Sequence, residues 1–177
     1  GGFFANNGKI GLVDFEKFIS QRNKAYLPKF KKILTALKAG ADKEGLVSYK
    51  DFEAAVLAKK NPQLTRLFYE YMPLTFSRRH GDPSRPWNKF SIKLRDSDNN
   101  PILNYEGNWR DIFQNWEALA WSYPNYIKNM TLKFLNAMTI EGFNPYRISR
   151  EGIDWEIPDP DNPWAQIGFW GDHQVIY

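Results

Sequence analysis

The 177-residue chain is 42% hydrophobic and 25% charged, ordinary proportions for a globular protein that folds in water. It has no apolar run of the roughly 18 residues that would suggest a membrane span, and its lack of cysteine excludes a disulfide framework or a thiolate metal site. The net charge of +4 divides unevenly: residues 1–95 hold 19 Lys and Arg against 8 Asp and Glu, and residues 96–177 hold 5 against 12.

From Asp14 to Ala39 the apolar residues Phe15, Phe18, Ile19, Tyr26, Phe30, Ile33, Leu34 and Leu37 recur at helical spacing. Pro28 is expected to split this stretch, because an interior proline removes a backbone hydrogen bond, and Gly40 to stop it. The lysines at 24, 29, 31, 32 and 38 interleave with these apolar positions, which fits a solvated helix face better than a phosphate footprint. Ser48 followed by Asp51 has the form of a capping box and predicts a helix to about Lys60. Asn61-Pro62 predicts a second cap and first-turn proline, with a helix to about Tyr71.

The turn between these helices invites comparison with a calcium loop. With Gly45 at the sixth position, Gly40 falls where the first ligand belongs and Asp51 replaces the bidentate glutamate. A loop around Gly8 would need Phe3 as its first ligand. A plain helix-to-helix turn is the better reading, and no metal site is assigned.

Residues 73–108 break the helical pattern with Pro73, Gly81-Asp82-Pro83, Pro86, Asp98-Asn99-Asn100-Pro101 and Gly107. Short strands such as Phe90–Leu94 are expected there, with a turn at Asp98–Pro101. The loop around Arg78, Arg79, His80, Arg85 and Trp87 offers planar guanidinium forks suited to phosphate, carboxylate or paired hydroxyls. Arg–Asp pairs that only hold the loop, with Asp82 as a partner, account for it equally well.

Asn108 is expected to cap a helix from Trp109 to about Ser122, with Asp111 near its positive end. Pro124 opens another to about Thr139, forming an antiparallel helical hairpin with the first. Trp109, Arg110, Asp111, Gln114 and Asn115 fall near the start of the first of these helices. Carboxylate and amide groups exchange hydrogen bonds with vicinal hydroxyls, and an aromatic face covers the C–H side of a sugar ring. Core tryptophans with Arg110 and Asp111 as exposed capping residues explain the same composition slightly better.

The stretch Glu141 to Ile167 reads as a long loop rich in aromatics, carrying Arg147, Asp154 and Glu156, and such loops are usually functional or disordered. Gly168 to Tyr177 reads as the start of a third helix, with Trp170, Asp172 and His173 in its first turn. Two distant histidines do not make a metal site. No nucleophile-elbow pattern is present either.

Trp109-Arg110-Asp111 with Gln114, followed by Trp170-Gly171-Asp172-His173, resembles the six-hairpin glycosidases. The arrangement is similar to the cellobiose phosphorylase group, and Pro86-Trp87-Asn88 with Phe90 resembles the aromatic element before its Arg-Asp pair. Arg78–Asn88, Gly107–Glu117, Asn144–Arg147 and Gly152–Glu156 also resemble large bacterial proteins of that superfamily. The resemblance covers residues 73–177 and leaves 1–72 as a helical linker region.

It implies a mainly α fold, a partial (α/α)6 toroid of which these are the first hairpins, with long irregular loops. It also implies an oligosaccharide or glycoside substrate gripped by Arg110 and Asp111. Trp109, Gln114, Trp170, Asp172, His173, Arg147, Arg79, His80 and Trp87 complete the candidate substrate-binding set. The family's general acid sits in a Gly-Asp-Trp-Asn-like segment that this sequence lacks, so no catalytic residue is assigned. The acid would protonate the leaving oxygen while water or inorganic phosphate attacks from the opposite face. No further cofactor, nucleic acid or membrane is expected. The alternatives are a sugar-binding (α/α) barrel without catalysis and a helical interaction module centred on residues 1–72.

The chain opens at Gly1-Gly2 and stops in the apolar run Val175-Ile176-Tyr177. This reads as a piece of a longer protein, inactive alone and partnered by the remainder of its parent chain. A cytoplasmic location fits the lack of cysteine.

Overall fold

A computed structural model describes residues 4–75, 94–155, 160–161 and 169–170. In chain order its elements are β1 (Ile10–Gly11), α1 (Leu12–Arg22), α2 (Leu27–Gly40), β2 (Leu46–Val47), α3 (Tyr49–Leu57) and α4 (Pro62–Glu70). There follow β3 (Glu106–Asn108), α5 (Trp109–Ser122), α6 (Ile127–Leu135), β4 (Phe143–Asn144), β5 (Arg147–Ser149), β6 (Ile153–Asp154) and β7 (Phe169–Trp170). The fold is mainly helical, as the periodicity predicts. Among the described residues no helix is long and apolar enough to cross a membrane.

The chain forms two compact units. The first comprises Gly1–Pro73 and Asn125–Lys133; the second comprises Leu74–Pro124 and Phe134–Tyr177. All seven tryptophans of the sequence fall within the second.

The first unit is built around Phe15, which is fully buried. Its ring lies 4.7 Å from Phe52, 4.9 Å from Tyr71 and 5.0 Å from Phe30, centroid to centroid. Such tilted and edge-on contacts match the negative face of one ring to the positive edge of another. The break between α1 and α2 comes at Asn23, earlier than the expected split at Pro28. The Asn23 side chain accepts from the Ala25 N–H and starts a single 3-10 turn. Pro28 then sits in the first turn of α2, where its missing N–H disturbs nothing. Ser48 caps α3 through the Asp51 N–H, and Asn61 caps α4 through the Leu64 N–H, both at the predicted positions.

The segments preceding α1 and α3 pair as a short antiparallel ladder, Ile10 opposite Val47 and Gly11 opposite Leu46. Gly45 turns the second loop at φ +74°, a conformation costly for any residue with a Cβ. Asp42 closes that loop, since one carboxylate oxygen accepts from the Glu44 and Leu46 N–H groups. Its other oxygen accepts from the Lys9 ammonium at 2.9 Å. The hydrogen bond to Asp42 raises the Lys9 pKa, and the bond from Lys9, aided by the Leu46 N–H, lowers that of Asp42. The chain's own ammonium therefore lies against this carboxylate. Among the described residues no group of three or more His, Cys, Asp or Glu is arranged to hold a metal.

Residues 125–133 complete the first unit from a distant part of the sequence. Tyr126, Asn129, Met130 and Lys133 are its buried residues.

In the second unit, Trp109, Ile112, Trp116 and Leu119 form the buried face of α5. Trp109 and Trp116 each meet the Phe134 ring edge-on, at 4.7 and 5.1 Å, and Trp116 also meets Tyr105. The expected 141–167 loop is partly sheet. β5 pairs antiparallel with both β3 and β6, with Arg147 opposite Asn108 on one side and Asp154 on the other. The third helix expected from Gly168 does not begin there. Phe169–Trp170 is instead a strand, with Phe143 opposite Trp170 and Asn144 opposite Phe169. Aromatic residues suit a pleated surface, and a partner 27 positions away (Phe143 to Trp170) supplies the ladder that local periodicity cannot reveal.

The expected Asp98–Pro101 turn is present. Asp96 accepts from the Asp98 and Asn100 N–H groups, Asn99 takes φ +65°, and Arg95 bridges to Pro101. The Phe90–Leu94 strand falls almost wholly outside the described residues, and Leu94 is not in a strand.

Candidate functional site

Two neighbouring features of the second unit carry polar chemistry. The first is the start of α5, reached directly from β3. Gly107 packs close beneath Ile112, where a Cβ would stand 3.4 Å from the Ile112 side chain. Asn108 occupies the N-cap position but makes no capping hydrogen bond with its side chain. The first turn is tied elsewhere, because the Trp109 N–H donates to the Tyr146 carbonyl at 3.0 Å. That bond satisfies a backbone donor which a helix start would otherwise leave unpaired. The Asn108 side-chain oxygen is buried without a hydrogen-bond partner among the described residues, and so is the side-chain nitrogen of Asn115.

Trp109 is only 2% exposed, and its ring meets Phe134. It acts as a core residue that fixes the first turn of α5, and its face is not open to solvent. Arg110, Asp111 and Gln114 lie in the first two turns of the same helix, and their side chains lie outside the described residues. The same holds for the Trp170 side chain, whose backbone stands in β7. Arg79, His80, Trp87, Asp172 and His173 also lie outside the described residues.

The second feature is a polar cleft of about 500 Å³ on the three-stranded sheet, lined by Asn104, Glu106, Arg147, Ser149, Glu151 and Asp154 among others. Arg147 is the one candidate from the sequence found here. Its Nη1 donates to Glu106 at 3.0 Å and its Nε to Asp154 at 2.5 Å, while Nη2 completes a fork on Asp154. Alternation along β5 places Arg147 and Ser149 on one face, and the antiparallel register brings Glu106 opposite Ser149.

Glu106, Glu151 and Asp154 set three carboxylates against one guanidinium in this cleft. Arg147 is already held by two of them. The lining therefore disfavours an anion and suits neutral hydroxyl groups, which donate to carboxylates and exchange hydrogen bonds with Ser149 and Asn104. Glu106 escapes a reading of the sequence alone, because it stands by itself ahead of Gly107 and reaches Arg147 only through sheet pairing. The one local sign is its alternation with Asn108 on the strand that leads into α5.

No curated protein matches the chain. Residues 4–73 match the family model described as Glycoside hydrolase family 149 insertion domain 1, a finding that supports a glycoside hydrolase-related protein.

Proposed function

We propose that this chain is part of a carbohydrate-active enzyme, a glycoside hydrolase or phosphorylase, and supplies part of its sugar pocket. The observation that carries this reading is the match of residues 4–73 to a glycoside hydrolase insertion domain, upstream of the Trp109-Arg110-Asp111 segment in the same chain. The second unit would be the opening portion of an (α/α)6 barrel. Arg110 and Asp111 would grip the sugar at the cleavage subsite, with Gln114, Trp170, Asp172 and His173 beside them. Trp109 contributes by anchoring their helix. The proton donor lies outside these residues, since the sequence has no Gly-Asp-Trp-Asn-like segment.

Two features support a hydroxylated, uncharged ligand. Buried amide atoms of Asn108 and Asn115 at the start of α5 have no hydrogen-bond partners among the described residues, and unmade bonds of this kind are costly unless a ligand or water takes them. The cleft around Arg147 carries an excess of carboxylates. Titrating the protein with neutral gluco-oligosaccharides of several linkages, beside Arg110→Ala and Asp111→Ala variants, tests the reading. Heat that appears with at least one linkage and vanishes in both variants is expected. Silence across the panel at millimolar sugar would remove the pocket assignment, and glycoside turnover by this chain alone would refute an external proton donor.

A further inference from the structure

We propose that residues 4–73 act as a receptor for one amphipathic helical segment, 125–133, and that Asn129 specifies the occupant. The family match ends at residue 73, yet the compact unit built on those residues takes in 125–133 as well. A module defined without this segment is thus completed by it.

The segment engages the module as a helical ligand engages a groove. Tyr126, Asn129, Met130 and Lys133 are buried, at i, i+3, i+4 and i+7, while Ile127, Lys128 and Thr131 face outward. The centre of the buried stripe is polar. Asn129 is fully buried, its oxygen accepts from the Tyr49 hydroxyl at 2.8 Å, and its nitrogen donates to the Phe68 and Tyr71 carbonyls at 3.0 and 2.9 Å. Those carbonyls lie at the C-terminal end of α4, where the Phe68 carbonyl also accepts from the Tyr71 N–H. The Tyr126 hydroxyl donates to the Gly8 carbonyl at 2.8 Å, and its ring meets Tyr49 edge-on and packs on Phe4. On the rim, the Lys128 ammonium stands 3.6 Å from Glu53 and over the Tyr69 ring.

The receptor thus presents one buried hydroxyl donor, three carbonyl acceptors and a carboxylate at the edge. It fits a helix that carries an aromatic hydroxyl, an asparagine three residues later and a lysine between them. An apolar residue in the place of Asn129 would bury the Tyr49 hydroxyl without its acceptor and take the side-chain donor away from the Phe68 and Tyr71 carbonyls, so the groove discriminates against an ordinary hydrophobic helix. A buried asparagine that sets the register of packed helices works by the same penalty.

The test uses the whole chain with a specific protease site built into the exposed Asp96–Asn100 turn. After cleavage, dissociation of the two pieces is measured by dilution and size-exclusion chromatography. Wild-type pieces should stay together at micromolar concentration. Asn129→Leu should weaken association at least tenfold, and adding Tyr49→Phe should recover part of that loss by removing the stranded hydroxyl. Ile127→Ala, on the outward face, should change it less than twofold. If Asn129→Leu is misfolded before cleavage by circular dichroism, Tyr126→Phe replaces it, with a severalfold weakening expected. Separation of the wild-type pieces, or association unchanged by the substitution used, would overturn the proposal. Neither result bears on sugar binding.

Discussion

The Tyr49 hydroxyl donates a 2.8 Å hydrogen bond to the side-chain oxygen of Asn129 across 80 positions of sequence, and both groups are buried. Tyr49 opens α3, whereas Asn129 belongs to α6. Long-range polar contacts of this kind fix which segments meet, because each partner is costly to bury alone.

The strength of that pair is measurable. Asn129→Ala should lower stability to urea by ~3 kcal/mol, since it strands a hydroxyl and takes a donor from two carbonyls, while Tyr49→Phe should cost ~1 kcal/mol. The double variant should lose less than the sum, with a coupling of ~1 kcal/mol. Strict additivity would show that the bond contributes nothing.

Alkaline pH should weaken the first unit. Burial, the hydrogen bond to Glu53 and its charge push the Tyr69 hydroxyl up to about 12, and burial raises Tyr49 and Tyr126 further. Below an ordinary tyrosine pKa of about 10, folded and unfolded chains are equally protonated and stability is unaffected. Between pH 10 and 12 the unfolded chain releases protons that the folded chain keeps, so stability falls as pH rises. Phenolate absorbance followed alongside circular dichroism checks this. Titration of Tyr49, Tyr69 and Tyr126 near 10 with the fold intact, identified by difference spectra against their Phe variants, would contradict it.

Helix caps offer a local test. Ser48→Ala removes the oxygen that accepts from the Asp51 N–H, and Asn61→Ala the one that accepts from the Leu64 N–H. Each should cost ~1 kcal/mol in thermal or chemical unfolding. The two sites share no partner, so their effects should add.

Two glycines should respond in opposite directions. Gly45 holds φ +74°, and Gly45→Ala should destabilise by ~1 kcal/mol even though nothing crowds its Cβ position. Gly40 ends α2 with open space around it, and Gly40→Ala should stabilise by ~0.5 kcal/mol through helix propensity. Equal signs in unfolding experiments would disprove the conformational explanation.

Within the cleft, Arg147→Ala should leave Glu106 and Asp154 facing one another without their shared cation. Oligosaccharide affinity should fall at least tenfold, and the loss should be largest at low ionic strength, where carboxylate repulsion is least screened. Affinity unchanged in calorimetric titration would exclude the cleft from the sugar site.

Local signals were readable and distant pairings were not. Ser48 with Asp51, and Asn61 with Pro62, act within one turn, so the starts of α3 and α4 could be placed from the letters alone. Strands of two or three residues show no periodicity, and their partners lie far along the chain, as with Asn108 and Arg147 or Phe143 and Trp170. The same limit applies to the site. Arg147 stood out by residue type, but its two carboxylates became visible only when β3, β5 and β6 were brought side by side. The Trp109 side chain suited both a sugar platform and a hydrophobic core, and its burial against Phe134 puts it in the core.

The placement of every tryptophan in the second unit gives the molecule an internal optical division of labour. Emission excited at the red edge of protein absorbance originates in the second unit, because the module of residues 4–73 holds no tryptophan. That module carries its own chromophores in Tyr26, Tyr49, Tyr69 and Tyr71, joined by Tyr126. Melting of the second unit can therefore be followed in the unlabelled protein by tryptophan emission alone, whereas tyrosine light comes from both units, because Tyr105, Tyr123, Tyr146 and Tyr177 belong to the second.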